Sequence, residues 1–192
     1  VPDLTVLAKI LAGGLPGGAV AGARDILDQL DAGAAKAAGR EKIGHQGTFN
    51  ANPLCAAAGV TMLSLVESGD ACARAEATAE ELRVGMRRIL VEEGVPWGVF
   101  GEASVFVIFP NPARLPVDPA NFDPARLGFR RLKGARDPQL NNRLRVALLA
   151  HGVDIAGGPG GFVSEAHGAR EVTQTLDAWR TALRALKADG LL

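Results

Sequence analysis

The chain is poor in the residues that would staple it or hold a metal. Two cysteines, Cys55 and Cys72, stand apart in helical patterns, and three isolated histidines add no cluster. This scarcity excludes a disulfide framework and a Cys/His metal centre, and it points to a reducing cytoplasm. Neither sign of charge prevails: 21 basic residues meet 21 acidic ones, with no run of one sign. A global field that would draw in nucleic acid or an anionic membrane is therefore missing. The longest apolar stretch, around residues 54–66, is too short and too rich in alanine to span a bilayer, and no signal peptide is visible. Internal repeats are lacking as well.

What remains is an ordinary globular composition. The 192 residues are 47% hydrophobic and 22% charged, sufficient for a core in one large domain or in one domain and part of another. Val1-Pro2-Asp3 has no initiator methionine and reads as a turn into a strand, so we expect a piece of something larger.

Two constellations carry chemistry. The first is an apolar, strand-like run over residues 4–10 in which Lys9 precedes a glycine-rich turn, Gly13-Gly14-Leu15-Pro16-Gly17-Gly18. A cation in an apolar run must find a partner, reach water or give up its proton. A deprotonated lysine is a nucleophile that forms a Schiff base with a carbonyl, and the glycines would let backbone approach a bulky ligand. The plainer alternative is a lysine at the end of an edge strand that snorkels into water. The second constellation is Gly44-His45-Gln46-Gly47-Thr48, followed by Phe49-Asn50-Ala51-Asn52-Pro53. Thr48 offers a hydroxyl and an amide beside a glycine, suited to an anion such as phosphate. Its alternative is a local turn leading into the Asn52 cap.

Between and after these, the spacing predicts a second strand at 18–22 and a short helix at 23–30, then a mobile surface segment over 31–44. Asn52 and Pro53 should start a buried, small-residue helix to about Ser68 that Gly69 ends, with Cys55 packed inside it as a small hydrophobe. A longer helix follows at 71–93, then a hairpin from Trp97 to Phe109. Residues 110–138 hold six of the eleven prolines and read as an irregular loop. A helix at 138–150, a strand at 152–155, a turn at 157–161 and a helix at 169–186 complete the chain. His45 reads as a surface residue and His167 as a capping or packing one beside the last helix. The organisation breaks near residue 70.

Lys9-Ile-Leu-Ala-Gly-Gly-Leu-Pro16-Gly-Gly-Ala19, Gln46-Gly-Thr-Phe-Asn-Ala-Asn-Pro53-Leu54 and Gly161-Phe-Val-Ser-Glu-Ala-His167 together resemble the class III aminotransferase family. Within it the glutamate-1-semialdehyde 2,1-aminomutase group is the nearest likeness. The resemblance spans essentially the whole chain. It implies an α/β fold, the C-terminal part of a PLP-dependent transferase of fold type I. Residues 1–70 would be the remnant of the large PLP-binding domain and 71–192 the small C-terminal α+β domain.

Lys9 would then be both the catalytic residue and the one that forms the internal aldimine with pyridoxal 5′-phosphate. Gly47 and Thr48 would bind cofactor, Thr48 reaching the phosphate held by the partner subunit of a homodimer. The implied substrates are small amino donors and acceptors. The family's pyridinium-pairing aspartate, phosphate loop and ring-stacking aromatic would lie in a half not present in this sequence, so the isolated chain is expected to be inactive. Ala156–Gly161 carries neither the glutamate nor the arginine that the family places there, which points away from a faithful aminomutase. A reading of a different class is a non-catalytic remnant serving as an interaction or dimerisation module.

Overall fold

A computed structural model describes residues 1–134 and 137–192. It divides into two compact units, Val1–Gly69 and Asp70–Leu192.

In the first unit, strands β1 (Leu4–Leu7) and β2 (Ala19–Gly22) pair antiparallel, with Leu4 opposite Gly22 and Leu7 opposite Ala19. The strand expected to run to residue 10 stops at Leu7; Lys9–Ala12 winds into a single 3-10 turn. The backbone at Lys9 has φ 60°, which no extended strand can contain. Two short helices follow, α1 (Arg24–Leu27) and α2 (Ala32–Ala37). The second lies in the segment expected to be mobile surface. Asp31 is the reason: its carboxylate accepts the Ala34 N–H at 2.7 Å and caps a run of alanines with high helix propensity.

Helix α3 (Pro53–Ser68) begins as expected, with Asn52 Oδ1 accepting the N–H groups of Leu54 and Cys55 at 3.0 and 3.1 Å. Gly69 ends it in extended conformation rather than the left-handed one. The expected burial is not found. No residue of α3 is buried, Cys55 is only half-covered, and Leu54 and Val60 are about two-thirds exposed at 68% and 67%. The helix is apolar on every side, while its packing partner within this unit, the 3-10 turn, covers only one side.

The second unit holds the core. Helix α4 (Ala71–Glu92) buries Ala75, Ala79, Leu82, Met86 and Ile89 on one stripe. Helix α8 (Ala169–Ala188) answers with Val172, Trp179, Leu183 and Leu186, and α7 (Pro138–Leu149) adds Leu140, Leu144 and Leu148. Trp179 is fully covered; its indole N–H donates to Met86 O at 3.3 Å, and its ring lies 6.1 Å from that of Trp97. These helices pack on an antiparallel sheet of order β3 (Gly98–Phe100), β4 (Val105–Phe109), β5 (Gly160–Phe162). Buried Arg83 of α4 pins the β3–β4 turn by donating to the carbonyls of Ala103 and Val105 at 2.9 and 2.7 Å.

Two expectations for this unit need correcting. The strand expected at 152–155 is absent; Ala156 instead forms a lone bridge to Gly160, and the third strand starts at Gly160. The proline-rich segment is not wholly irregular, since Asp123 caps a short helix α5 (Pro124–Leu127) and α6 (Phe129–Gly134) follows it.

Candidate functional site

Lys9 sits where extended backbone becomes a tight turn. Ala8 is extended at φ −153°, Lys9 turns to φ 60°, and Gly13, at φ 61°, closes the turn by donating its N–H to Ile10 O at 2.9 Å. A left-handed lysine is uncommon, and such conformations cost about 1–3 kcal/mol where surrounding structure imposes them. The imposing structure is α3. A Cβ on Gly13 would lie 2.8 Å from Ala58 O, and one on Gly59 would lie 3.1 Å from Leu11 O. Gly13 and Gly59 thus let the turn's backbone press against the helix. The glycines were expected to admit a ligand, yet most are used for packing: Cβ atoms on Gly17 and Gly18 would meet Ala12 Cβ at 2.6 Å and Leu7 O at 3.0 Å. Gly14, at φ 88° with open space around it, is the exception.

The Lys9 side chain is exposed. It is not carried into an apolar interior, because the strand that would have held it ends two residues earlier. The ion pairs among the described residues all lie in the second unit, so its amine is not tied up in one.

Gly47 and Thr48 occupy one turn, closed by the Asn50 N–H donating to Gly47 O at 3.0 Å. A second turn overlaps it, Asn52 N–H to Phe49 O at 3.2 Å, and Ala51 takes φ 56° between them. Asn52 then caps α3. Thr48, exposed at the second position of the first turn, is therefore fixed to the start of the helix that also seats the Lys9 turn. The structure brings Gly47 and Thr48 together and anchors Lys9 to the same helix further along. No hydrogen bond joins Lys9 to Thr48 among the described residues. The sequence does not reveal the left-handed conformations of Lys9 and Ala51 or the role of Gly59, whose only signal is a glycine inside a helical pattern.

In the second unit His167 does not cap α8, whose N-cap is Gly168; its Nδ1 accepts the Ser164 N–H at 3.0 Å in the turn ahead of the helix. Arg145 grips Asp154 with two hydrogen bonds, at 2.8 and 3.1 Å, which hold the Asp154 carboxyl below its usual range against a smaller opposing effect of burial. Among the described residues no group of acidic, histidine and cysteine side chains could hold a metal, and no helix is long and apolar enough to cross a membrane.

The chain has the fold of the PLP-dependent transaminases. The chain superimposes on an omega-transaminase from Sphaerobacter thermophilus with a TM-score of 0.74 at 31% identity, covering 97% of this chain and 39% of that one. A solved transaminase with PLP bound matches equally well, with a TM-score of 0.74 at 29% identity over 99% of this chain and 40% of that one. The model of the family described as "Aminotransferase class-III" matches residues 1–113, and the chain belongs to that family. Similar proteins include glutamate-1-semialdehyde 2,1-aminomutase of Thermus thermophilus, 34% identical over 95% of this chain, and that of Methanosarcina acetivorans, 31% identical over 93%. The chain spans only 38–39% of the length of these two relatives.

Proposed function

We propose that this chain supplies the cofactor-bearing lysine of a PLP-dependent aminotransferase or aminomutase, with Lys9 as the residue to which the coenzyme attaches. The observation that carries the reading is the Lys9 turn itself. A lysine is held at φ 60° and packed through glycines onto a helix, with its amine left exposed, inside the segment matched by the family.

The residues present fit the coenzyme. Lys9 offers a primary amine to an aldehyde. Gly47 and Thr48 offer an amide and a hydroxyl at a fixed turn, a donor set suited to phosphate. When bound, PLP supplies the electron sink for carbanion chemistry. The chain's own part is to hold the coenzyme through Lys9 and, once that amine is released, to move a proton at its Nζ as base and then acid. Arginine could not serve, because it stays protonated.

In this reading residues 1–70 belong to the large cofactor-binding domain and 71–192 form the small C-terminal domain. The working protein is a cytoplasmic homodimer in which Thr48 and Gly47 face the partner's coenzyme, and it acts on small amino donors and acceptors. Covering the exposed apolar sides of α3 would favour such an assembly. The short Ala156–Gly161 turn, which offers no charged side chain, favours a substrate other than that of the aminomutases.

Lys9→Ala in the full-length, PLP-loaded protein tests the reading. Amino transfer should fall by several orders of magnitude while the far-UV circular dichroism is unchanged. Activity kept within tenfold of the parent would show that Lys9 is not the residue to which the coenzyme attaches, and no amino transfer in the parent either would favour a non-catalytic interaction module.

A further inference from the structure

The balanced charge of the whole chain conceals one local excess. Between Asp123 and Asp137 stand Arg126, Arg130, Arg131, Lys133 and Arg136, with no acidic residue among them. The first four of these are exposed along α5 and α6. Both flanking carboxylates are engaged as helix caps: Asp123 Oδ1 accepts the Ala125 N–H at 2.9 Å, and Asp137 Oδ1 accepts those of Gln139 and Leu140 at 3.0 Å. The match to the family's model ends at residue 113, so this segment lies outside it.

The long helices of the same unit treat their arginines differently. Each arginine of α4 and of α8 has an acidic partner. On α5, Arg126 reaches Asp123 at 3.4 Å. Arg130 and Arg131 of α6 pair with no acidic side chain among the described residues. Like charges one turn apart, as at Arg130 and Lys133, weaken a helix slightly, so stability does not explain them. Phe129 stands out of the same turn, 72% exposed, with the Lys133 Nζ 5.4 Å from its ring centre.

We propose that α5 and α6 form a docking surface for an acidic segment of a partner protein. Arg130 and Arg131 take its carboxylates with paired N–H donors, and Phe129 contacts an apolar side chain beside them. Exposed arginine next to an exposed aromatic is the composition that carries binding energy at protein interfaces. Two other anionic surfaces fit less well. Phe129 alone projects, since Leu127 and Leu132 are half-buried, and a bilayer needs a wider apolar face to hold a protein. The six helical residues of α6 span about 9 Å, which reaches too few phosphates for firm binding to nucleic acid. This surface does not depend on the role of Lys9.

The test is fluorescence anisotropy of the full-length protein with a labelled peptide of glutamates around a central leucine. The peptide should bind saturably, and its counterpart with lysines in place of glutamates should not. Arg130→Glu combined with Arg131→Glu should weaken it roughly tenfold or more, and Phe129→Ser, which leaves the charge alone, about threefold or more. Arg88→Glu, the same reversal at an exposed arginine of α4, should stay within about twofold. Lys9→Ala should leave the titration unchanged, which separates this surface from the proposed reaction. Tighter binding to phosphatidylserine vesicles or to an oligodeoxythymidine than to the peptide would overturn the proposal. So would an equal loss in Arg88→Glu, or an unaltered titration in the double variant or in Phe129→Ser.

Discussion

Lys9 is held in a conformation that a lysine resists, and the cost identifies what the position is for. Were the residue there for stability, glycine would serve better at φ 60°. Lys9→Gly is therefore expected to be more stable than Lys9→Ala by about 1 kcal/mol in urea denaturation, although both lack the amine. Equal stabilities would mean that the left-handed backbone is not imposed by the packing of the turn. The lysine was conspicuous in the sequence for its type and its glycines. Its conformation was not, because φ at a single residue is set by what the turn packs against, here Ala58 and Gly59 some fifty residues later.

At the scale of elements, helix α3 ties both candidate turns to one support. Its start was plain in the sequence: Asn52 and Pro53 are a cap and a first-turn residue, and the cap forms both of its hydrogen bonds. Asn52→Ala should cost about 1 kcal/mol and loosen the Thr48 turn, seen as faster amide exchange at residues 47–55. The burial of α3 was misjudged because an apolar composition shows that a helix seeks cover, not that cover lies within the same unit. The strand expected at 152–155 failed for a related reason. Short apolar runs do not reveal their pairing, and Gly160 rather than Val153 meets β4. The amphipathic stripes of α4, α7 and α8 were legible because the 3.6-residue period records one buried face directly.

The junction of α4 and α8 makes a prediction about pH. Glu93 at the end of α4 receives hydrogen bonds from Arg184 and Arg180, and Lys187 donates to its backbone carbonyl. The Arg184 hydrogen bond, foremost, lowers the Glu93 carboxyl below its ordinary value of 4.5, with burial opposing it. A carboxyl with a depressed folded value binds fewer protons in the native state than in the unfolded one. Its stabilising contribution is complete above the unfolded value and is lost as pH falls through the lower, folded one. Glu93→Gln should therefore flatten the loss of stability below about pH 4.5, measured by thermal melts across the acid range. A parallel acid profile in the variant would show that the cluster contributes nothing to it.

For the whole molecule, the family and the fold were legible from three short stretches, since each joins a chemical residue to the turn that positions it. The substrate was not, because the chain covers 38–40% of its curated relatives and the Ala156–Gly161 turn carries no charged side chain to read. One covalent attachment, at Lys9, carries the proposed function. The most direct measurement is peptide mapping by mass spectrometry after borohydride reduction of the protein loaded with pyridoxal 5′-phosphate. The adduct should lie on the peptide that contains Lys9 and be missing from those with Lys36, Lys42, Lys133 and Lys187. An adduct spread evenly over the lysines, or concentrated on one other than Lys9, would contradict the account.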